Sequence, residues 1–371
     1  MPAAAASGGA RIRSLAAVLA SCFCVGMTLG MATPLVSLAM EARGYGSLTI
    51  GLMAASYSLA MFAIGPFVPA LLRRPGPVAV MIGGLAVAAA SLAAFPHVAA
   101  LGGMFVLRFL MGVGGGLDWV ASETWISAMS TDRIRGRVVG VYTTVWGGGL
   151  ALGPILLIAT GTGGPLPFAV AAGILALAFL PVLLARGMAP SLPSGTDPSS
   201  ILRAAREARV PMAASFLSGM CETGYVALFP IYGLEIGMSR RAVVLVTSAF
   251  AAGTLLLQPA VGWLADRVDR RRLLVSAAAL VLACLAAVPV AQGTPVLWPV
   301  VFLWGGGAAG LYTLGLVLLG DRFSGLDLPA ANTGYVMSYT LGMVLGPVMG
   351  GAGMRIWSPH GLIAALAIPV A

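Results

Sequence analysis

Lysine is absent from this 371-residue chain, histidine occurs twice, cysteine four times, and charged residues make up only 9% of the whole. An average soluble domain carries about 25% charged residues, so a globular surface bathed in water is excluded. His97 and His360 lie outside the long apolar stretches. They provide neither a histidine cluster for a metal nor a plausible catalytic triad. Enzymatic chemistry, a metal site and a cofactor are therefore not expected. Cys22, Cys24, Cys221 and Cys284 all fall inside apolar runs, where a free thiol behaves as a small hydrophobe, and no disulfide is expected. What the chain does have is apolar mass, with 59% hydrophobic residues and a mean hydropathy of +0.97. That excludes disorder. The runs are apolar on every face, which also excludes a transmembrane β-barrel, whose strands alternate.

Eleven stretches are long enough to cross a bilayer as helices: 14–40, 47–72, 76–95, 98–128, 138–160, 164–185, 210–236, 242–264, 273–291, 294–320 and 330–353. A twelfth begins after Pro359, and its residues Gly361 to Ala371 span roughly 16 Å, about half the hydrocarbon core. The sequence is expected to stop within that helix. Leu19-Ala20-Ser21-Cys22 looks like a lipoprotein cleavage site, but the apolar run continues to Met40, as an uncleaved first span should.

The net charge of +9 could suggest nucleic-acid binding, yet the basic residues sit almost entirely between apolar runs, and topology accounts for them. With the N-terminus inside, sixteen of the 21 arginines fall on the cytoplasmic side and four outside, and Arg108 lies within a span. The expectation is a multi-pass protein of a bacterial inner membrane with a cytoplasmic N-terminus, bathed in lipid and not bound to nucleic acid. The Pro-, Ser- and Gly-rich stretch 186–209 reads as a cytoplasmic linker. It divides the chain into a six-helix bundle at 1–185 and another at 210–371. The halves echo each other. Gly149-Leu-Ala-Leu-Gly153-Pro154 recurs as Gly342-Met-Val-Leu-Gly346-Pro347, an offset of 193 residues, and Tyr142 and Tyr335 keep that register. Repeated halves of this kind build secondary transporters with a site between them at the membrane midplane.

After the eighth span stands Gly262-Trp-Leu-Ala-Asp266-Arg267-Val-Asp269-Arg270-Arg271-Arg272. It resembles the loop signature of the major facilitator superfamily, Gly-x-Leu-Ala-Asp-Arg-x-Gly-Arg-Arg, with Asp269 in place of a glycine. The first-half copy, Gly65-Pro-Phe-Val-Pro69-Ala-Leu-Leu-Arg73-Arg74, has Pro69 where Asp is expected. The resemblance covers essentially the whole chain. It implies an all-α integral membrane fold of two pseudo-symmetric six-helix bundles with twelve spans, the last one short. It also implies a cytoplasmic gate at Gly262, Asp266, Arg267 and Arg270, joined by Glu123 and Arg135 near the inner end of the fourth span. The plainer alternative is a basic membrane anchor without switching. Gly149, Gly153 and Pro154 resemble the start of the family's antiporter signature, and Gly342, Gly346 and Pro347 continue into Gly350-Gly351. Close helix packing alone would also explain them.

Arg108 resembles the family's fourth-span arginine, which is associated with proton coupling or substrate binding. Placing it in a membrane costs about 2.5 to 3.5 kcal/mol, so a cavity or a partner is expected. Asp118 follows ten residues later, and Glu222 lies near mid-depth in the seventh span. A carboxyl group in such a cavity beside an arginine is poised to exchange a proton. Competition with substrate would then couple proton and cargo. Trp119, Tyr225, Tyr312, Tyr335 and Tyr339 are the aromatics expected along the cavity. The sequence thus predicts a monomeric, proton-coupled secondary transporter of a small organic solute, working by alternating access as an efflux antiporter. Proton symport of an anionic metabolite is the alternative, and a non-transporting membrane sensor with the same fold is the alternative of another class.

Overall fold

The computed structural model describes residues 8–129, 135–188, 198–323 and 328–371. Its helices are α1 (Gly8–Glu41), α2 (Ser47–Ile64), α3 (Val68–Arg73), α4 (Gly76–Ala94), α5 (Leu101–Met129), α6 (Arg135–Thr160) and α7 (Leu166–Leu184). They continue as α8 (Pro198–Glu207), α9 (Arg209–Glu235), α10 (Arg240–Ala265), α11 (Arg270–Ala287), α12 (Leu297–Arg322), α13 (Leu328–Ile356) and α14 (Gly361–Ala367). No strand occurs among the described residues. Helix is the state that satisfies every backbone N–H and C=O within one segment, as lipid demands.

Local sequence sets the ends. Ser239 accepts the Ala242 N–H with its side chain, and Asp269 accepts the Arg272 N–H at 2.9 Å. The family's glycine is thus replaced by an N-cap that opens α11. The second expected span, 47–72, is interrupted by a 3-10 turn at Gly65–Phe67 between α2 and α3, where Pro66 and Pro69 each remove a backbone donor. Among the described residues, eight helices are long and apolar enough to cross a membrane. α9, α11 and α13 reach the length, with 27, 18 and 29 residues, but carry more polar or charged residues. The linker is partly folded. Its end forms α8, and Ala204 within it and Ala208 just after it are buried against Met212, Leu319, Phe323 and Tyr335 while Arg203, Arg206 and Glu207 stay exposed.

The chain forms two compact units, residues 1–32 with 59–195, and residues 33–58 with 196–371. In the first unit α1 crosses α6 on glycine. A Cβ on Gly149 would lie 2.4 Å from the Phe23 carbonyl oxygen, one on Gly153 2.3 Å from that of Met27, and one on Gly26 2.5 Å from that of Trp146. In the second unit α9 crosses α13 the same way. The matching contacts are Gly342 on Phe216 at 2.0 Å, Gly346 on Met220 at 2.2 Å, and Gly219 on Tyr339 at 2.2 Å. All six positions of one crossing recur 193 residues later in the other, from 23 to 216 through 153 to 346. The repeat is therefore a repeat of backbone contact. α4 and α5 approach on Gly84 and Gly114 in similar fashion.

Residues 33–58 pack with the later helices. A Cβ on Gly51 would lie 2.2 Å from the Pro347 carbonyl oxygen. The Ser47 hydroxyl donates to Gly351 O at 3.2 Å, and Arg240 pairs with Glu41 at 2.8 Å.

Candidate substrate and coupling site

The second unit assembles its polar cluster on the α9–α13 crossing. Gly219 lets the backbone of α13 close on α9 at Tyr339. One turn along α9, Glu222 then receives the Tyr339 hydroxyl, which donates to Oε2 at 2.7 Å. Tyr312 on α12 completes the group, its ring centroid 5.2 Å from Tyr339 at 72° and 5.1 Å from Tyr335 at 59°. Tyr335 is fully buried and its hydroxyl donates to the Tyr312 carbonyl, while Glu222, Tyr312 and Tyr339 are half-buried. Buried serines rivet the wall behind. Ser215 donates to Tyr335 O at 2.8 Å and Ser218 to Ala308 O at 2.7 Å.

Tyr225 takes a different place from the other tyrosines. It is fully buried, stacked on Phe250 at 4.1 Å and Phe229 at 4.5 Å with Trp304 edge-on at 4.9 Å, and its hydroxyl donates to Val246 O. Those contacts make it part of an aromatic core that ties α9, α10 and α12 together, with no side left to line a passage.

The first unit holds further intramembrane charges on α5. Arg108 and Asp118 are each only 3% exposed. The Arg108 guanidinium donates to the Met111 sulfur at 3.8 Å. Asp118 sits one turn beyond the α4–α5 contact at Gly114, where a Cβ on Gly84 would meet its backbone nitrogen at 3.4 Å. Its Oδ1, like the Ser122 hydroxyl one turn on, has no hydrogen-bond partner among the described residues. Leaving such an atom buried and unmatched costs about 1–3 kcal/mol, more when charged, so this is a place where stability is given up. Trp119 donates from Nε1 to Glu123 Oε1 at 2.7 Å. Among the described residues no group of three or more His, Cys, Asp or Glu is placed to hold a metal ion.

At the α10–α11 turn, Arg270 donates from Nε to Ala265 O at 3.3 Å and pairs with Asp321 at the end of α12. The hydrogen bond to Asp321, with its charge, raises the Arg270 pKa above its ordinary value. Asp266 is the exposed C-cap of α10 and adds its field to Arg270. Arg267 stacks on Trp263 at 4.0 Å, and a Cβ on Gly262 would meet nothing within 4 Å. The Arg135 side chain lies outside the described residues, so Glu123 is placed only against Trp119. Asp321, which makes the ion pair, lies outside the gate that the loop motif implies. Its signal is an acidic residue at a helix end directly before Arg322, on the same side as the arginine-rich turn. Pro154 and Pro347 lie inside α6 and α13, beside the glycines of the two crossings.

Comparison with known proteins agrees with this architecture. The Major Facilitator Superfamily model matches residues 18–239 and 211–371. The MFS-type transporter YfkF of Bacillus subtilis (strain 168) is 29% identical over 342 residues, covering 91% of this chain and 88% of the relative. YcaD of Escherichia coli (strain K12 / DH10B), also an MFS-type transporter, is 28% identical over 245 residues, covering 65% of this chain and 62% of its own length. Among solved structures, the nucleoside transporter NupG superposes with a TM-score of 0.79 over 97% of this chain and 96% of that one. At 12% identity that likeness concerns the fold alone. The chain belongs to the major facilitator superfamily, and is a multi-pass membrane transporter rather than an enzyme.

Proposed function

We propose that this transporter is a proton-coupled exporter of a small organic solute, a monomer in a bacterial inner membrane with its N-terminus in the cytoplasm and a bundle at 1–185 working against one at 210–371. The observation that carries the reading is Glu222, a half-buried carboxylate at mid-helix whose partner among the described residues is the Tyr339 hydroxyl. Such a group can hold a proton or face a cargo, and the two occupancies exclude each other. Asp118, with an unmatched buried oxygen on α5, serves as a second proton-responsive group, and Arg108 tunes it through space. The 16 to 4 arginine distribution supports the orientation. Arg270 with Asp321, beside Asp266, forms the cytoplasmic latch.

The test uses proteoliposomes under an imposed pH gradient, screened with cationic dyes and organic acids while internal pH is recorded. Glu222→Gln and Asp118→Asn are each expected to lose substrate-driven proton movement. Wild-type coupling in both variants would overturn the reading. Arg108 favours one second reading, proton symport of an anionic metabolite, because a buried guanidinium can bind a carboxylate or phosphate in two-point fashion. Competition by organic acids that is lost in Arg108→Gln would select it.

A further inference from the structure

We propose that Glu222, Tyr339 and Tyr312 form a recognition wall for an organic monocation, a substituted ammonium or phosphonium carrying apolar arms. This rests on the transport reading above and names the class of cargo.

The first support is unfilled acceptor capacity. A carboxylate offers about four lone-pair sites, and Glu222 receives a single donor among the described residues, the Tyr339 hydroxyl at 2.7 Å. A second is charge balance. Every arginine of α9, α12 and α13 lies at a helix end, Arg209, Arg322 and Arg355, and two ion pairs of this unit, Glu41–Arg240 and Arg270–Asp321, are made elsewhere. A bound cation would supply the positive charge that these three helices do not bring to Glu222. A third is ring geometry. Tyr312 and Tyr339 meet edge to face, 5.2 Å apart at 72°, so their π faces turn in two directions around a corner that also holds a carboxylate. Ring faces are electron-rich and attract a cation that need not donate a hydrogen bond.

The wall is also built to keep its shape. Tyr335, fully buried behind it, ties Tyr312 down through a hydrogen bond to its carbonyl, and Ser215 holds the Tyr335 backbone at 2.8 Å. The front three residues keep exposed surface. The Tyr225–Phe250–Trp304 cluster, by contrast, is buried. A bare metal cation is disfavoured, because it needs several oxygen ligands at once. An anion meets the Glu222 charge directly.

The test measures binding to the purified full-length protein by calorimetry, with tetraphenylphosphonium and with tetraphenylborate, which share a shape and differ in sign. The phosphonium is expected to bind about tenfold or more tightly than the borate. Glu222→Gln should abolish that preference, and Tyr312→Leu should weaken the phosphonium by about tenfold. Tyr339→Phe, which keeps the ring, should cost less than Tyr312→Leu. A second measurement needs no variant: tetraphenylphosphonium, but not tetraphenylborate, should slow carbodiimide labelling of Glu222 followed by mass spectrometry. Equal binding of the two ions, or unchanged labelling at saturating phosphonium, overturns the proposal. Neither readout involves flux. Binding that persists in vesicles showing no transport would remove the transport reading and leave this site standing, and proton-coupled flux without phosphonium binding would do the reverse.

Discussion

Replacing Gly153 by Ala puts a methyl carbon 2.3 Å from the Met27 carbonyl oxygen and 2.6 Å from the Met31 nitrogen. Separations under 3.0 Å essentially never occur for a real Cβ, so α6 must retreat from α1 by about 0.7 Å (3.0 − 2.3). Backbone atoms cannot swing aside as a side-chain tip can. Overpacking of this kind costs about 1–3 kcal/mol. The same substitution at Gly346 meets the Met220 carbonyl at 2.2 Å and should cost as much. Gly148→Ala is the control, since it lies on the same helix with nothing within 4 Å. The helix propensity gained, about 1 kcal/mol, is common to variant and control and cancels between them. Thermal unfolding of the purified protein should place Gly153→Ala and Gly346→Ala well below Gly148→Ala. The double variant should lose the sum of the two, because each crossing lies inside its own unit and they share no partner. If both single variants melt with the control, close backbone contact does not hold these crossings together.

Two further outcomes follow from the ion pairs. Arg270→Gln and Asp321→Asn should slow transport by the same factor, and combining them should slow it no further, as a double-mutant cycle in vesicles would measure. Independent effects would exclude the latch. Removing Glu41 or Arg240, whose side chains are 34% and 44% exposed, should change stability by less than about 1 kcal/mol and less still in high salt. Unfolding curves at low and high ionic strength check this, and a large salt-independent loss would contradict it.

Much of this molecule is legible in its sequence because lipid imposes a simple rule on helix length, and the apolar runs follow it. The glycine repeat is half legible. Gly149 and Gly153 match Gly342 and Gly346 within an obvious motif, whereas Gly26 and Gly219 share the offset of 193 within a shorter match, Phe-x-x-Gly-Met at 23–27 and 216–220. Only contact reveals that the two sets meet. Tyr225 reads as a polar aromatic available to a cavity, but Phe229 four residues on and Trp304 and Phe250 from other helices enclose it. Such enclosure depends on residues far apart in the chain. The helices that fall short of a plain membrane span include α9 and α13, which carry Glu222 and Tyr339. Their lower apolarity is where the candidate site is written.

Residues 33–58 find their neighbours very late. Ser47 bonds a carbonyl 304 positions further along, and at about 5–20 residues per second a ribosome needs roughly 15–60 s to deliver it. Through that interval the smooth surface around Gly51 has no Pro347 to lie against. During biogenesis the first hairpin must wait in the bilayer, covered by acyl chains or by an insertion factor, until α13 arrives to displace them.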